Sequence, residues 1–444
     1  MTGVNHSYRY ARRSSLTGQS DKSSLFLAVD QAATNVSPAY LTAVLKEPEV
    51  TAKSLRAVSE IVGSRFYVPP SMLARIMREA DPVVTVGRDT LRFEGFSGCC
   101  SAYIRLDIDD DALEVEHRGK GTTNVDFGPE LRALLTRTSP DSRMEITIGS
   151  DTVGLSHELG TVTERKVPLP VRWIKGLAEV QGHLSCMEKA FSLSTVQAQR
   201  FLRGLPRSKS DHRIWVKGNS TGVRTTTRPV PGGVPLRGGH RLRVLESLVS
   251  KASALHVYFS EVLESSAWVL DFGTQRVCLV LNVEPWRGFP GDGRLLSDLA
   301  HIEVESAALR AQLNWQDELD LQSLARGGNL SLDQVKTAMS HLAASGLVGF
   351  DLSRSAWFHR VLPFDMDRVA AMNPRLLAAQ QLVEDKAIKI LPNGADVTSE
   401  AVTHRVRLEG DSPSCTCPWY SRNKSARGPC KHILAVEIAL EQSA

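Results

Sequence analysis

The stretch that decides the reading is Ser414-Cys415-Thr416-Cys417-Pro418-Trp419-Tyr420-Ser421-Arg422-Asn423-Lys424-Ser425-Ala426-Arg427-Gly428-Pro429-Cys430-Lys431-His432. It holds three of the chain's seven cysteines; the other four, Cys99, Cys100, Cys186 and Cys278, are scattered. A reducing cytosol disfavours disulfides, so such clustering points to a metal or to catalysis. Three soft thiolates and one imidazole are the donor set of a closed tetrahedral zinc site. Donors one residue apart can converge only where the chain bends sharply. Pro413 and Pro418 flank the first pair and Gly428-Pro429 precedes the second, while the twelve residues 418–429 let the chain return. A Cys415–Cys417 redox pair strains a disulfide and ignores Cys430 and His432. A Cys–His nucleophile has no need of a third and fourth donor. One structural zinc ion is the stronger reading, and four protein donors leave no open position for metal catalysis.

Downstream, Ile433, Val436, Ala439 and Leu440 recur at helical spacing. The second donor pair is therefore expected at a helix N-terminus, an end that favours thiolate. Upstream, Ala387–Leu391 and His404–Leu408 read as a hairpin. Two strands, a knuckle with Cys-x-Cys, a spacer and Cys-x-His, then an apolar helix: this order resembles the SWIM zinc finger from Leu382 to Leu440. Cys415, Cys417, Cys430 and His432 match the four ligand positions. The resemblance implies one structural Zn2+ and binding to DNA or to other proteins. The chain as a whole looks like the bacterial stand-alone members, some of which are encoded near helicase-like or AAA+ ATPases. The partners implied are nucleic acid, DNA first, or a protein such as an ATPase.

Between Pro418 and His432 the segment has no acid, and it carries Arg422, Lys424, Arg427 and Lys431 beside Trp419 and Tyr420. Basic residues interleaved with aromatics can grip phosphate and stack a base. Trp419, Arg422, Lys424, Arg427 and Lys431 are accordingly the candidate nucleic-acid contacts. The alternative places Trp419 over the metal core and leaves the charges solvated.

Working outward, residues 298–365 give a helix, a turn, a second helix and a hairpin, which resembles a winged helix in pattern. Leu319–Arg326 is a short helix ended by Gly327–Gly328, and Ser331-Leu-Asp-Gln334 is a capping box opening the next. The hairpin is expected from Leu347–Asp351 and Trp357–Leu362. The second helix offers Gln334, Lys336 and His341 with Asp333 near its start, and the wing adds Arg354, His359 and Arg360. That is thin for reading DNA, so a structural or protein-contacting role is preferred.

Residues 203–240 read as a basic Gly/Pro-rich linker. From Arg203 to Arg243 there are ten Lys/Arg against one acid, Asp211, about +9 in a chain of net charge +4. A surface for nucleic acid or another polyanion is the sharper reading of that stretch. On its two sides lie an N-terminal α+β domain, 25–202, and a second α+β unit, 241–297. Helix is expected at Pro38–Val62, Pro69–Glu79 and Phe127–Arg137, and mainly helix at Val171–Leu205. Strands are expected from Pro82 to Leu106 and again from Met144 to Leu169. Arg241–Lys251 reads as a helix followed by strands at Leu255–Phe259, Ala267–Asp271 and Arg276–Asn282. The helix-then-strands order resembles the half-units of sliding-clamp folds; two independent units or one composite domain fit equally.

The 444 residues are 42% hydrophobic and 23% charged, ordinary globular chemistry. Wholesale disorder, collagen-like structure and a disulfide scaffold are excluded. No run approaches the roughly 18 apolar residues of a membrane span. Residues 1–24 read as a polar flexible tail, not a signal peptide, so a cytoplasmic protein without membrane contact is expected. Gly232–Gly233 and Gly238–Gly239 lack the Gly-Lys-Ser/Thr of a phosphate loop. Nucleotide fingerprints, zinc-protease motifs and serine elbows do not occur, and Cys99-Cys100 has no evident histidine partner. The acidic run Asp107, Asp109, Asp110, Asp111, Glu114 and Glu116 lacks the glycine and spacing of a calcium loop; it reads as a solvated turn and strand edge. The expectation is a non-enzymatic α+β multidomain chain: a winged-helix-like segment, then a C-terminal ββα SWIM zinc finger within 366–444.

Overall fold

The computed structural model describes residues 15–19, 22–26, 39–65, 82–158, 160–167, 169, 171–284, 288–291, 304–362, 374–408, 413–424 and 428–441. Inside the expected tail, β1 (Ser15–Gln19) and β2 (Lys22–Phe26) pair antiparallel, which corrects the expectation of a structureless segment there. The rest of 1–24 and the helix expected at 69–79 lie outside the described residues.

A proline fixes where the first helix begins. The residue before Pro48 is driven from the helical region, and Glu47 sits at φ −122°, ψ 67° as its N-cap. Ala39–Leu45 is therefore strand β3, not the start of a helix, and α1 runs Pro48–Gly63. Strands β4 (Val83–Val86), β5 (Thr90–Phe96), β6 (Ala102–Asp109), β7 (Leu113–Arg118) and β8 (Gly121–Asn124) follow, then α2 (Pro129–Arg137). Next come β9 (Met144–Gly149), β10 (Thr152–His157), β11 (Gly160–Arg165), α3 (Val171–Ser185), β12 (Glu188–Ser194) and α4 (Thr195–Gly204). The run expected to be mainly helical is thus split by β12. A capping box at Ser194–Gln197 restarts the helix after it.

The basic stretch is folded. β13 (Arg213–Asn219) pairs with both β14 (Gly222–Thr226) and β15 (Val234–Arg237) in an antiparallel meander, which corrects the expectation of a linker. Gly239–Ser247 and Val249–Lys251 are 3-10 turns, not the expected α-helix. Gly239, Leu242, Leu245 and Leu248, three apart, are all buried; a three-residue period eclipses side chains along a 3-10 face. β16 (Ala254–Ser260), β17 (Ser265–Asp271) and β18 (Gln275–Asn282) complete this part.

Two sheets result, ordered β11-β10-β9-β3-β7 and β12-β16-β17-β18-β6-β5-β4-β8. The second is continuous through the β18–β6 pairing, Gln275 opposite Ile108 to Leu281 opposite Ala102. The units expected at 25–202 and 241–297 therefore share one sheet and one core. α1 and α3 approach β5 so closely that a Cβ on Gly95 would lie 2.6 Å from Val62 and 3.0 Å from Trp173.

Beyond this body, α5 (Val304–Arg310), α6 (Leu321–Gly328), α7 (Leu332–Ala344), β19 (Val348–Asp351) and β20 (Ala356–His359) form three helices and a hairpin with their own core around Val335, Met339 and Leu342. α6 includes Gly327 and Gly328 and ends at Asn329, which adopts φ 53°. Both bonds of the Ser331–Gln334 capping box are present.

The hairpin docks on the large sheet through buried charge. Within the sheet Arg92 forms an ion pair with Asp107 at 3.1 Å and Arg105 bonds Asp107 at 2.9 Å; Arg92 then bonds Asp317, ahead of α6, at 2.8 Å, and Arg105 pairs with Asp351 of the hairpin at 3.5 Å. Arg360 pairs with Glu94, which also accepts from the Tyr103 hydroxyl at 2.7 Å. Phe358 lies beneath Arg92, 3.9 Å from ring centroid to guanidinium carbon. The acidic run is thus largely engaged rather than solvated. Asp107 is buried between two arginines, Asp109 bonds Arg276 at 2.8 Å and Arg354 at 3.0 Å, and Asp110 pairs with Arg118. Cys99 and Cys100 are buried, and burial pushes the Cys100 thiol up to about 12.

The C-terminal unit comprises α8 (Pro374–Glu384), β21 (Ile388–Leu391), β22 (Gly394–Ser399), β23 (Val402–Arg407), β24 (Ser414–Cys415), α9 (Pro418–Asn423) and α10 (Lys431–Glu441). Its sheet runs β21-β22-β23-β24, so the expected two-strand hairpin is corrected to four strands, with β22 between the two foreseen. It has a separate core, with Leu376 and Ala379 of α8 against Ile433, Leu434 and Val436 of α10.

Candidate metal centre

Each donor is set by a local device. Cys415 ends β24, held by Val406 opposite it on β23. Cys417 is the N-cap of α9, and its sulfur accepts from the Tyr420 amide at 3.3 Å. Pro418 at the first helical position suits a site where an amide would be orphaned. Cys430 immediately precedes α10, and His432 lies in that helix's first turn. One thiol therefore caps one helix and another sits at the start of a second, where exposed amides stabilise negative charge.

Cys415, Cys417, Cys430 and His432 are all buried, and their ligand atoms lie within 4.8 Å of one another. His432 Nδ1 is 3.8 Å from Cys415 Sγ and 3.9 Å from Cys430 Sγ. Ordinary Zn–S and Zn–N bonds at tetrahedral angles place sulfur and nitrogen about 3.6 Å apart. The cluster therefore fits zinc with little adjustment. Among themselves the thiols share charge unequally. A hydrogen bond from Cys430 holds the Cys415 thiol below its ordinary value, and that bond, with burial, pushes Cys430 up to about 12. Burial raises Cys417 as well. A dication supplies the charge that lets all three ionise together. The donor set and its closure fit one structural zinc ion.

The candidate contacts of the knuckle separate. Trp419 is half-buried against the finger's core, with the Arg375 guanidinium 4.8 Å from its ring centroid. Arg375 also donates to the Pro429 carbonyl at 2.9 Å, so one side chain of α8 grips both ends of the knuckle. This favours the packing reading of Trp419. Lys431 is half-buried, 3.5 Å from Glu400. Arg422 and Lys424 are exposed, and Arg427 lies outside the described residues. Sequence reasoning missed Arg375, Glu400 and His404, whose ring lies 4.4 Å from that of His432. None of the three has a local spacing signal. The wing residues Arg354, His359 and Arg360 are turned inward: Arg354 to Asp109, Arg360 to Glu94, and His359 Nδ1 accepts from the Trp315 amide at 2.6 Å.

Residues 404–441 match the family model of the SWIM zinc finger, and all four donors lie within the match. No curated protein matches the chain. Over 55% of this chain and 98% of the other, the structure is similar to a crystal structure of the PCNA2-PCNA3 complex from Sulfolobus tokodaii, at 9% identity and a TM-score of 0.40. At that level the fold is described by its own strand order rather than by the likeness. Among the described residues, no helix is long and apolar enough to cross a membrane.

Proposed function

We propose that this chain is a non-catalytic, cytoplasmic nucleic-acid-binding accessory protein whose zinc ion fixes a basic knuckle for contact with DNA. The observation that carries the reading is α9. It is capped by the ligand Cys417 and exposes Arg422, with Lys424 exposed at its end. Metal binding thereby sets the position of two cations, and phosphate contacts of that kind supply sequence-independent affinity. A four-ligand closed centre suits a structural rather than a catalytic role. We take the segment of three helices and a hairpin as a winged-helix-like docking element, because its wing cations are engaged internally.

The test is a mobility-shift titration of full-length protein on single- and double-stranded DNA at two salt concentrations. The double variant Arg422→Ala, Lys424→Ala should keep its zinc and lose about 1.4–1.8 in salt slope, two phosphate contacts' worth. Wild-type binding by that variant sinks the reading. The second reading, an adaptor for an ATPase or helicase-like partner, is favoured by Ile390 and Val402, 48% and 54% exposed on the finger's sheet. Changing both to Ser should then abolish partner capture while leaving DNA binding intact.

A further inference from the structure

We infer that the meander of β13, β14 and β15 is a second nucleic-acid surface, holding a single strand with phosphates on β13–β14 and bases in the adjoining groove. This rests on the nucleic-acid reading above and deepens it to a substrate class. Alternation along β13 assigns the faces. Val216 is buried with Val234 and Leu236, and a Cβ on Gly218 would meet the Phe191 ring at 2.6 Å, so the even positions face inward. Arg213, Trp215 and Lys217 face outward, and Lys217 lies directly opposite Arg224 of β14.

Like charges directly opposite one another destabilise a strand pair, so this pair costs stability unless an anion lies over it. Arg213 and Arg237 on the same face are paired with Glu264 and Asp211. Lys217 bonds only a neutral partner among the described residues, the Pro231 carbonyl at 2.8 Å, which leaves its charge uncompensated. Arg224 is exposed, as is Arg228 just beyond the strand.

Beside this face runs a groove of about 950 Å³, bordered by Trp215, Phe259, Val262, Lys189, Glu188 and Glu261. The Arg213 guanidinium sits 5.0 Å from the Trp215 ring centroid, a cation–aromatic pair at the groove's edge. Bases can stack on such a ring without regard to sequence. Glu188 and Glu261 repel phosphate from the groove while accepting from the exocyclic amino groups of bases. The lining is net acidic, Glu179, Glu188, Glu261 and Glu264 against Lys189 and Arg213, whereas Lys217, Arg224 and Arg228 lie outside it. That asymmetry orients a single strand; a duplex presents no free base to this groove.

The experiment uses full-length zinc-loaded protein and fluorescence anisotropy of a short labelled single-stranded DNA across a salt series. Inorganic polyphosphate and the matching duplex serve as competitors. The double variant Lys217→Ala, Arg224→Ala should lower the salt slope by about 1.4, two contacts at about 0.7 each. Trp215→Ala should weaken the single strand roughly ten-fold or more, with Trp215→Phe retaining most of the affinity. Zinc content and melting temperature identify a variant that has merely unfolded. Wild-type slope and affinity in the meander variants would overturn the inference, as would polyphosphate or duplex displacing the strand equally well with Trp215→Ala silent. Measured in parallel, Arg422→Ala, Lys424→Ala separates the two readings. Loss in that variant alone leaves the finger reading standing without the meander, and loss in neither removes both.

Discussion

Arg360 of the hairpin and Glu94 of the large sheet, 266 residues apart in sequence, form an ion pair in which both side chains have 0% exposure. The same carboxylate accepts from Tyr103. A charge buried this completely is tolerated only with its partner in place. The pair therefore ties the helical segment to the sheet in one register.

Removing one member should be severe. Arg360→Met leaves Glu94 buried and unpaired, and should cost about 3–5 kcal/mol in denaturant unfolding. Adding Glu94→Gln, which keeps an acceptor for Tyr103, should recover a large part of that loss. A cost below about 1 kcal/mol for Arg360→Met would mean that the pair does not hold the segment.

His359 makes acid stability legible. Burial, then Lys120, holds its imidazole down at about 4, against an ordinary 6.5. The folded state thus binds fewer protons than the unfolded state between those values, so stability falls as pH drops from about 6.5 to about 4. Solvent screening of the partly open ring keeps the effect below the roughly 3 kcal/mol that an undiscounted shift would give. Above pH 6.5 the group is neutral in both states and contributes no slope. His359→Gln should flatten this window relative to wild type. Zinc loss in acid is common to both proteins and cancels in the difference. Parallel curves for the two would contradict the burial argument.

Trp419 should behave as a packing residue. Trp419→Ala should speed zinc loss to a chelator, and Arg375→Ala should do so more weakly, because Arg375 both covers the ring and bonds the Pro429 carbonyl. If Trp419→Ala abolishes DNA binding with zinc retention unchanged, the ring stacks on a base instead.

The metal centre was legible because its information is local. Residue types that bind zinc, at spacings the prolines and glycine allow, need no tertiary context. The Ser331–Gln334 cap was legible for the same reason. What escaped was set at long range. In Arg213–Asn219 the alternation of Ile214 and Val216 with Arg213, Trp215 and Lys217 is present, yet flanking Gly and Pro read as a linker until Phe191 supplies the inner neighbour. β22, Gly394–Ser399, has a glycine and an aspartate that argue against a strand, and partners on both sides override them. The acidic run reads as solvated in sequence because the arginines that neutralise it, Arg92, Arg276 and Arg354 among them, come from distant elements.

The most direct test is zinc content per chain, measured on purified protein by inductively coupled plasma mass spectrometry, for wild type and Cys430→Ser. The four buried donors of one cluster predict about one zinc per wild-type chain. The variant should carry close to none, with faster proteolysis confined to the C-terminal unit. The scattered Cys99, Cys100, Cys186 and Cys278 should not compensate, since each lies outside the cluster. Equal zinc in variant and wild type, or a wild-type chain without zinc, would contradict the account.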